Sequence, residues 1–346
     1  MRGYRAFTEE LARIAVSTGD RRLTELVGRL RAPLSVGVFG RPGVGCRTIA
    51  RALRAANPSD SAWQVGVGSD SGTADLCVYV IAETVKPEDR SFLAESRPGC
   101  VAVLNKADLS GFGGEGPLSI AASRSRDIER QTGIPTCWVA GLLAVAARDE
   151  RVVDAATIDA LRVLAVSPAD LGSVDALCDR PHRLAMQIRE RLARQLDLFG
   201  IALATSAVRG GADAGGVRRL LGRNSGMSAL LAALERESAG ARYRRIQAAI
   251  PRLAEAAAGS AGVHVAELLA ADEVVLAKRD AALDVLLSAG MQAAGLGELQ
   301  SQDAHLREAI FWRTYSLGPV LELHRACAAD VSRGALRLWS GGRPPS

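Results

Sequence analysis

Apolar residues recur at helical spacing between residues 5 and 30 and predict two amphipathic helices. Thr8, followed by Glu9 and Glu10, marks the start of the first. Asp20 marks the start of the second, which carries Leu23 to Leu30, and Pro33 closes the segment. The period then changes. Short apolar runs at Leu34 to Phe39, Trp63 to Gly68, Leu76 to Ile81, Cys100 to Leu104 and Thr136 to Ala140 have the length and side-chain types of strands. Helical stretches lie between them at Ile49 to Arg54, Pro87 to Leu93 and Arg124 to Gln131. Strands alternating with helices predict an α/β fold with a doubly wound, mostly parallel sheet. Its ligand side lies at the carboxyl ends of the strands.

From about Asp149 strand-like runs vanish and helical periodicity takes over. One long helix is expected from Arg180 to Ala207, bent near Gly200. The glycine-rich stretch Gly210 to Gly216 reads as a flexible connection. Further helices are expected over Val217 to Leu221, Met227 to Glu237, Tyr243 to Ala258, Val263 to Leu286 and, with breaks, Asp303 to Gly334. Gly341 to Ser346 reads as a disordered tail. The expected organisation is N-terminal helices over 1–33, an α/β domain over 34–150, a helical region over 151–340 and the tail over 341–346.

Two motifs fall at the ligand side of the sheet. The first follows the Leu34 strand: Gly40-Arg41-Pro42-Gly43-Val44-Gly45-Cys46-Arg47-Thr48, then a helix. Strand, glycine-rich loop and helix is the context of a phosphate-binding loop. Glycines turn successive backbone N–H groups onto an anion, and the helix N-terminus adds its dipole. Against the pattern Gly-x4-Gly-Lys-Ser/Thr, Gly40 and Gly45 match. Cys46 stands at the lysine position, Arg47 at the Mg²⁺-ligating hydroxyl, and Thr48 comes one residue late. A thiol supplies no positive charge between phosphates. Arg47 can instead replace the charge of the metal, so that phosphate would bind without Mg²⁺.

The second motif is Asn105-Lys106-Ala107-Asp108, after the apolar run ending at Leu104. An Asn-Lys-x-Asp at a strand end has the form of the guanine-reading element of GTPases. The Asp carboxylate accepts from the ring N–H and the exocyclic amine of guanine, a pair adenine lacks, and the Lys stem lies over the base. Ala140-Gly141, after the last strand, falls on the same side. The candidate cofactor-binding residues are therefore Gly40, Gly43, Gly45, Arg47, Thr48, Asn105, Lys106, Asp108, Ala140 and Gly141. No catalytic residue and no metal ligand is assigned.

Composition narrows the classes. The chain has 346 residues, 48% apolar and 23% charged, enough to bury a core and not a disordered composition. The net charge of +5 permits contact with anionic surfaces. No basic block is interleaved with aromatics, so nucleic acid is not an expected partner. The six cysteines form no CxxC pair, and the four histidines lack metal-ligand spacing. No signal-peptide pattern and no apolar run of about 18 residues appears. The expected location is the cytoplasm, with peripheral contact at the inner membrane face as the membrane option.

Beyond the motifs, Val139 to Ala147 resembles the corresponding segment of bacterial dynamin-like GTPases. So do Asp197 to Ala204, Ala207 to Gly211 and Asn224-Ser225-Gly226-Met227. Within that family the chain is most similar to the isoniazid-inducible dynamin-like group of mycobacteria, over about residues 34 to 236. The resemblance implies a P-loop GTPase-like head on a helical stalk built from both ends of the chain, acting at membranes. The chain departs from the family at Cys46 and Arg47. Between the helix after the glycine loop and the Leu76 strand it also lacks a switch threonine and an Asp-x-x-Gly, since Asp70-Ser71-Gly72 has the wrong spacing and Ser69 to Ala74 reads as a shortened loop. Resemblance and departures together imply a pseudo-GTPase that holds GTP or GDP weakly and without Mg²⁺. Its expected partner is an intact dynamin-like GTPase homologue, in a hetero-oligomer. A slow GTPase and a nucleotide-free scaffold are the alternatives.

Overall fold

The structure, a computed structural model, describes residues 2–57, 63–68, 74–95, 98–111, 114–257, 262–291 and 302–341. Helices α1 (Arg2–Thr18) and α2 (Arg21–Arg31) precede β1 (Leu34–Gly40), α3 (Cys46–Ala56), β2 (Trp63–Val67) and β3 (Leu76–Ala82). Next come α4 (Pro87–Ala94), β4 (Cys100–Asn105), α5 (Pro117–Thr132), β5 (Thr136–Val139) and α6 (Gly141–Ala146). The rest is helical: α7 (Ala155–Val166), α8 (Val174–Asp179), α9 (Met186–Arg209), α10 (Ala214–Arg223), α11 (Met227–Ala256), α12 (Gly262–Ala270), α13 (Asp272–Ser288), α14 (Gln302–Ser316) and α15 (Glu322–Gly341).

Two compact units result: Met1–Pro33 with Glu235–Ser346, and Leu34–Leu234. The division therefore falls after Leu234. Residues 151 to 234, read from sequence with the helical region, group instead with the sheet.

In the Leu34–Leu234 unit, five parallel strands stand in the order β2-β1-β3-β4-β5. All six residues of β4 are buried, as expected of a strand covered on both faces. The order reverses between β1 and β3, and a crevice opens at such a point beyond the carboxyl ends of the strands. Register aligns those ends: Asn105 pairs with both Ala82 and Val139. Edge strand β2 bonds to β1 through groups such as the Gly68 N–H on Val38, so the carbonyls of Trp63 and Val65 face away from the sheet. Asn57 Nδ2 donates to the first at 2.7 Å and Arg54 Nε to the second at 3.0 Å. Side chains of α3 and its cap thus occupy acceptors that would otherwise invite another strand. On one face of β1, the Phe39 ring lies over Gly37, where a β-carbon would meet it at 2.5 Å.

Among the described residues the other unit has helices and no strand. Phe7, Leu11, Leu23 and Leu30 share one core with Leu253, Val265 and Ala277; Tyr243, Ile246 and Trp312 share another with Cys327 and Val331. Arg245 donates to the carbonyls of Arg29, Ala32 and Pro33, satisfying the end of α2. Asp330 is buried and takes Tyr243 Oη at 2.7 Å, Gln247 Nε2 at 2.8 Å and Lys278 Nζ at 3.3 Å. Arg279 Nη2 donates to both carboxylate oxygens of Glu308, each at 2.8 Å.

Several sequence expectations change. The first helix begins at Arg2, and Thr8 sits inside it with its hydroxyl on the Arg5 carbonyl. Asp20 does cap α2, accepting from Arg22 N–H at 2.8 Å. The long helix begins at Met186, and its break falls at Asp197 (φ 58, ψ 174). Gly200 is instead a packing residue, since a β-carbon there would lie 3.1 Å from Leu143. The expected breaks after Glu237 and within Gly210 to Gly216 shrink: α11 runs unbroken and α10 opens at Ala214 under an Asp213 cap. The Val263 to Leu286 helix is divided at Ala271, whose backbone is extended. Gly341 ends α15, and the remainder of the expected tail lies outside the described residues.

Candidate functional site

The glycine-rich loop leaves β1 at Gly40 and enters α3 at Cys46. Gly40 has φ 149, and a β-carbon there would approach the Val80 carbonyl to 2.5 Å. Gly45 has φ 99, and its β-carbon would fall 2.2 Å from Asn105 Nδ2. Both positions admit glycine alone. Gly43, at φ 85, has open space before it.

Asn105 is 4% exposed and uses both ends of its amide. Nδ2 donates to the Val44 carbonyl at 2.8 Å; Oδ1 accepts from the Gly141 N–H at 3.1 Å. One side chain at the end of β4 thus joins the glycine loop to the segment after β5. Ala140 is fixed from its other side, its N–H on the Ser225 carbonyl at 3.0 Å. Gly226 (φ 72) lets that turn close on β5, where a β-carbon would strike the Trp138 carbonyl at 2.2 Å. Gly40, Gly43, Gly45, Asn105, Ala140 and Gly141 are therefore assembled by one hydrogen-bonded frame.

The remaining residues are placed less uniformly. Lys106 is exposed, with a left-handed backbone (φ 59) that turns the chain from β4 into the short helical turn Ala107–Leu109. Asp108 is half-buried. Burial pushes its carboxyl up to about 6; its own backbone N–H lowers it, the Asp197 charge raises it further and Lys106 opposes. Thr48 is half-buried and points its methyl at Gly141, 3.1 Å from where a β-carbon would stand. Arg47 is exposed and makes no ion pair among the described residues. Cys46 is half-buried beside Gly40, and loss of solvent pushes its thiol up, leaving it neutral. Cys46 thus offers no cation, and nothing in the loop replaces the hydroxyl missing at Arg47. Among the described residues no group of three or more His, Cys, Asp or Glu side chains is arranged to hold a metal ion. Asp70, Ser71, Gly72 and most of the Ser69 to Ala74 loop lie outside the described residues.

Sequence reading missed two contributors. Arg41, inside the glycine loop, grips Asp89 through Nε (2.9 Å) and Nη2 (3.2 Å). Asp89 is fully buried at the start of α4 and also takes Tyr79 Oη at 2.9 Å and the Lys86 N–H at 2.8 Å. Burial alone would raise the Asp89 carboxyl, but these donors together hold it below the usual range. The pair pins the loop to α4 and removes Arg41 as a free phosphate ligand. A tyrosine within the otherwise apolar run of β3 was the one local signal. The second contributor is Asp197, whose backbone sits where side-chain-bearing residues rarely go. Its charge reaches Asp108. No family model and no curated protein matches this chain.

Proposed function

We propose that the Leu34–Leu234 unit is a degenerate P-loop GTPase-like domain, and that the chain is a dynamin-like pseudo-GTPase. The observation that carries this is Asn105, which ties the Gly40 to Thr48 loop to Gly141 while Asp108 stands three residues on. That arrangement suits a nucleotide laid along the strand ends. The backbone N–H groups around Gly43 would take phosphate and Asp108 would take guanine. The open space before Gly43 and the obligatory glycines at 40 and 45 fit such a cradle. They do not fit Mg²⁺, because Arg47 replaces the hydroxyl and Thr48 turns its methyl inward.

Phosphoryl transfer rests on positioning and charge. One lost donor to a developing charge costs about 3–4 kcal/mol. Loss of both the lysine and the metal ligand therefore removes at least about 6 kcal/mol, a rate factor on the order of 10⁴. The chain accordingly works as a partner or regulator of an intact dynamin-like GTPase, through its helical parts, at a membrane surface. No described helix is long and apolar enough to cross a membrane, so such contact would be peripheral. Thermal shift with GDP, GTP and ATP, each with and without Mg²⁺, tests the reading. Guanine nucleotides should raise the melting temperature, ATP should not, and Mg²⁺ should add nothing. Equal shifts with GTP and ATP sink the guanine reading of Asp108; no shift with any nucleotide sinks nucleotide binding altogether and leaves the scaffold.

A further inference from the structure

Helix α14 is buried on one side and apolar on both. Its inner side carries Ala304, Glu308, Trp312 and Ser316, four residues apart and all buried. Ile310, Thr314 and Leu317 follow one another at helical spacing along the outer side and just past its end, with Phe311 beside Ile310. Ile310 is 57% exposed and Leu317 72%. Leu321, at the entry to α15, is 70% exposed. Large apolar side chains grouped on one surface in this way mark a contact site.

The turn Leu317-Gly318-Pro319-Val320-Leu321 is set by its own backbone. The Leu317 N–H donates to the Thr314 carbonyl at 3.2 Å, the Gly318 N–H to Tyr315 at 3.1 Å and the Val320 N–H to Gly318 at 2.9 Å. Pro319 fixes one more dihedral. Arg325 Nη2 reaches back to the Gly318 carbonyl at 3.5 Å. The two leucines are therefore held outward by a fixed turn. Cations flank them: Arg307 and Arg313 on α14 and Arg325 on α15 are exposed and make no ion pair among the described residues. The exposed acids at the two ends of this stretch are Asp303 and Glu322, so three cations stand against two carboxylates.

We propose that the outer face of α14, with the turn into α15, docks on the surface of an anionic lipid bilayer. Leu317 and Leu321 enter the acyl boundary, Ile310 and Phe311 follow along the helix, and the three arginines meet lipid phosphates. Shape and charge select this occupant together. A projecting leucine needs a matching socket in a protein partner but none in a bilayer, which deforms around it. The excess of arginine opposes a second copy of the same face and complements anionic head groups. The inference rests on the membrane reading above and names the surface that makes the contact.

Co-sedimentation of the full chain with vesicles of phosphatidylcholine, and of phosphatidylcholine with about one-third phosphatidylglycerol, tests it. The anionic vesicles should bind about fivefold more strongly, the effect of one net positive charge at the surface. Leu317→Asp with Leu321→Asp should weaken that binding at least about tenfold. Arg307→Gln, Arg313→Gln and Arg325→Gln together should reduce the preference for phosphatidylglycerol. All five positions are exposed, so the melting temperature of each variant should match the parent. Vesicle binding that survives unchanged in a folded Leu317→Asp, Leu321→Asp chain would overturn this surface and leave the membrane reading standing. Failure of the parent chain to sediment with either vesicle would overturn both. A preference for phosphatidylglycerol unaltered by the three arginine substitutions would also overturn the proposal.

Discussion

A β-carbon on Gly45 would lie 2.2 Å from Nδ2 of Asn105, the same atom that holds the Val44 carbonyl at 2.8 Å. Glycine at 45 and asparagine at 105 therefore depend on each other. Asn105→Ala removes both bonds and leaves a buried carbonyl and a buried N–H unpaired, at a cost of about 1–3 kcal/mol for each group. Denaturant unfolding should register that loss without any nucleotide present. Gly45→Ala should cost stability as well, through both the clash and the left-handed backbone.

The raised Asp108 carboxyl gives stability a pH dependence of defined sign. With a folded pKa of about 6 against 3.8, the folded state binds the proton more tightly. Its contribution is present below about pH 4 and is lost as pH rises to 6, amounting to at most about 3 kcal/mol. Asp108→Asn should therefore stabilise the chain at pH 7.5 and leave it nearly unchanged at pH 4. GDP, if bound through the carboxylate, should weaken about tenfold per unit below pH 6. Melting curves and GDP titrations across that range decide both.

Arg41→Ala strands a fully buried carboxylate at Asp89. It should lower the denaturant midpoint well beyond Arg90→Ala on exposed surface nearby. Arg41→Met combined with Asp89→Leu should recover much of the loss, because removing both charges is less harmful than removing one.

Freeing the edge of β2 is the next test. Arg54→Ala with Asn57→Ala exposes the Val65 and Trp63 carbonyls. The double variant should show concentration-dependent association by light scattering where the parent does not.

Purified chain should turn over GTP no faster than buffer. A dynamin-like rate abolished by Gly45→Val would refute the pseudo-GTPase reading.

Strands β1, β3 and β4 were legible because strands covered on both faces are continuous apolar runs, as at Leu76 to Ile81. Glycines at the ligand side were legible for the same local reason. Contacts across sequence were not. Arg41 and Asp89 are 48 positions apart, and nothing in the loop announces which carboxylate Arg41 will meet. The break in α9 was read at Gly200 because glycine is the local breaker signal, whereas the chain turns at Asp197 and keeps Gly200 for close packing on Leu143. Helices α7 and α8 were not read individually; α8, Val174–Asp179, spans only six residues.

The internal tie at Asn105 has an evolutionary consequence. Its bonds run to backbone groups of the protein itself, so selection for a folded domain is enough to retain Asn105, Gly45 and Gly141. Lys106 and Asp108 make no such frame, and only a ligand preserves them. The four letters of one motif therefore decay on two clocks. In a lineage that has lost its nucleotide, the lysine and aspartate should drift while the asparagine and the two glycines stay.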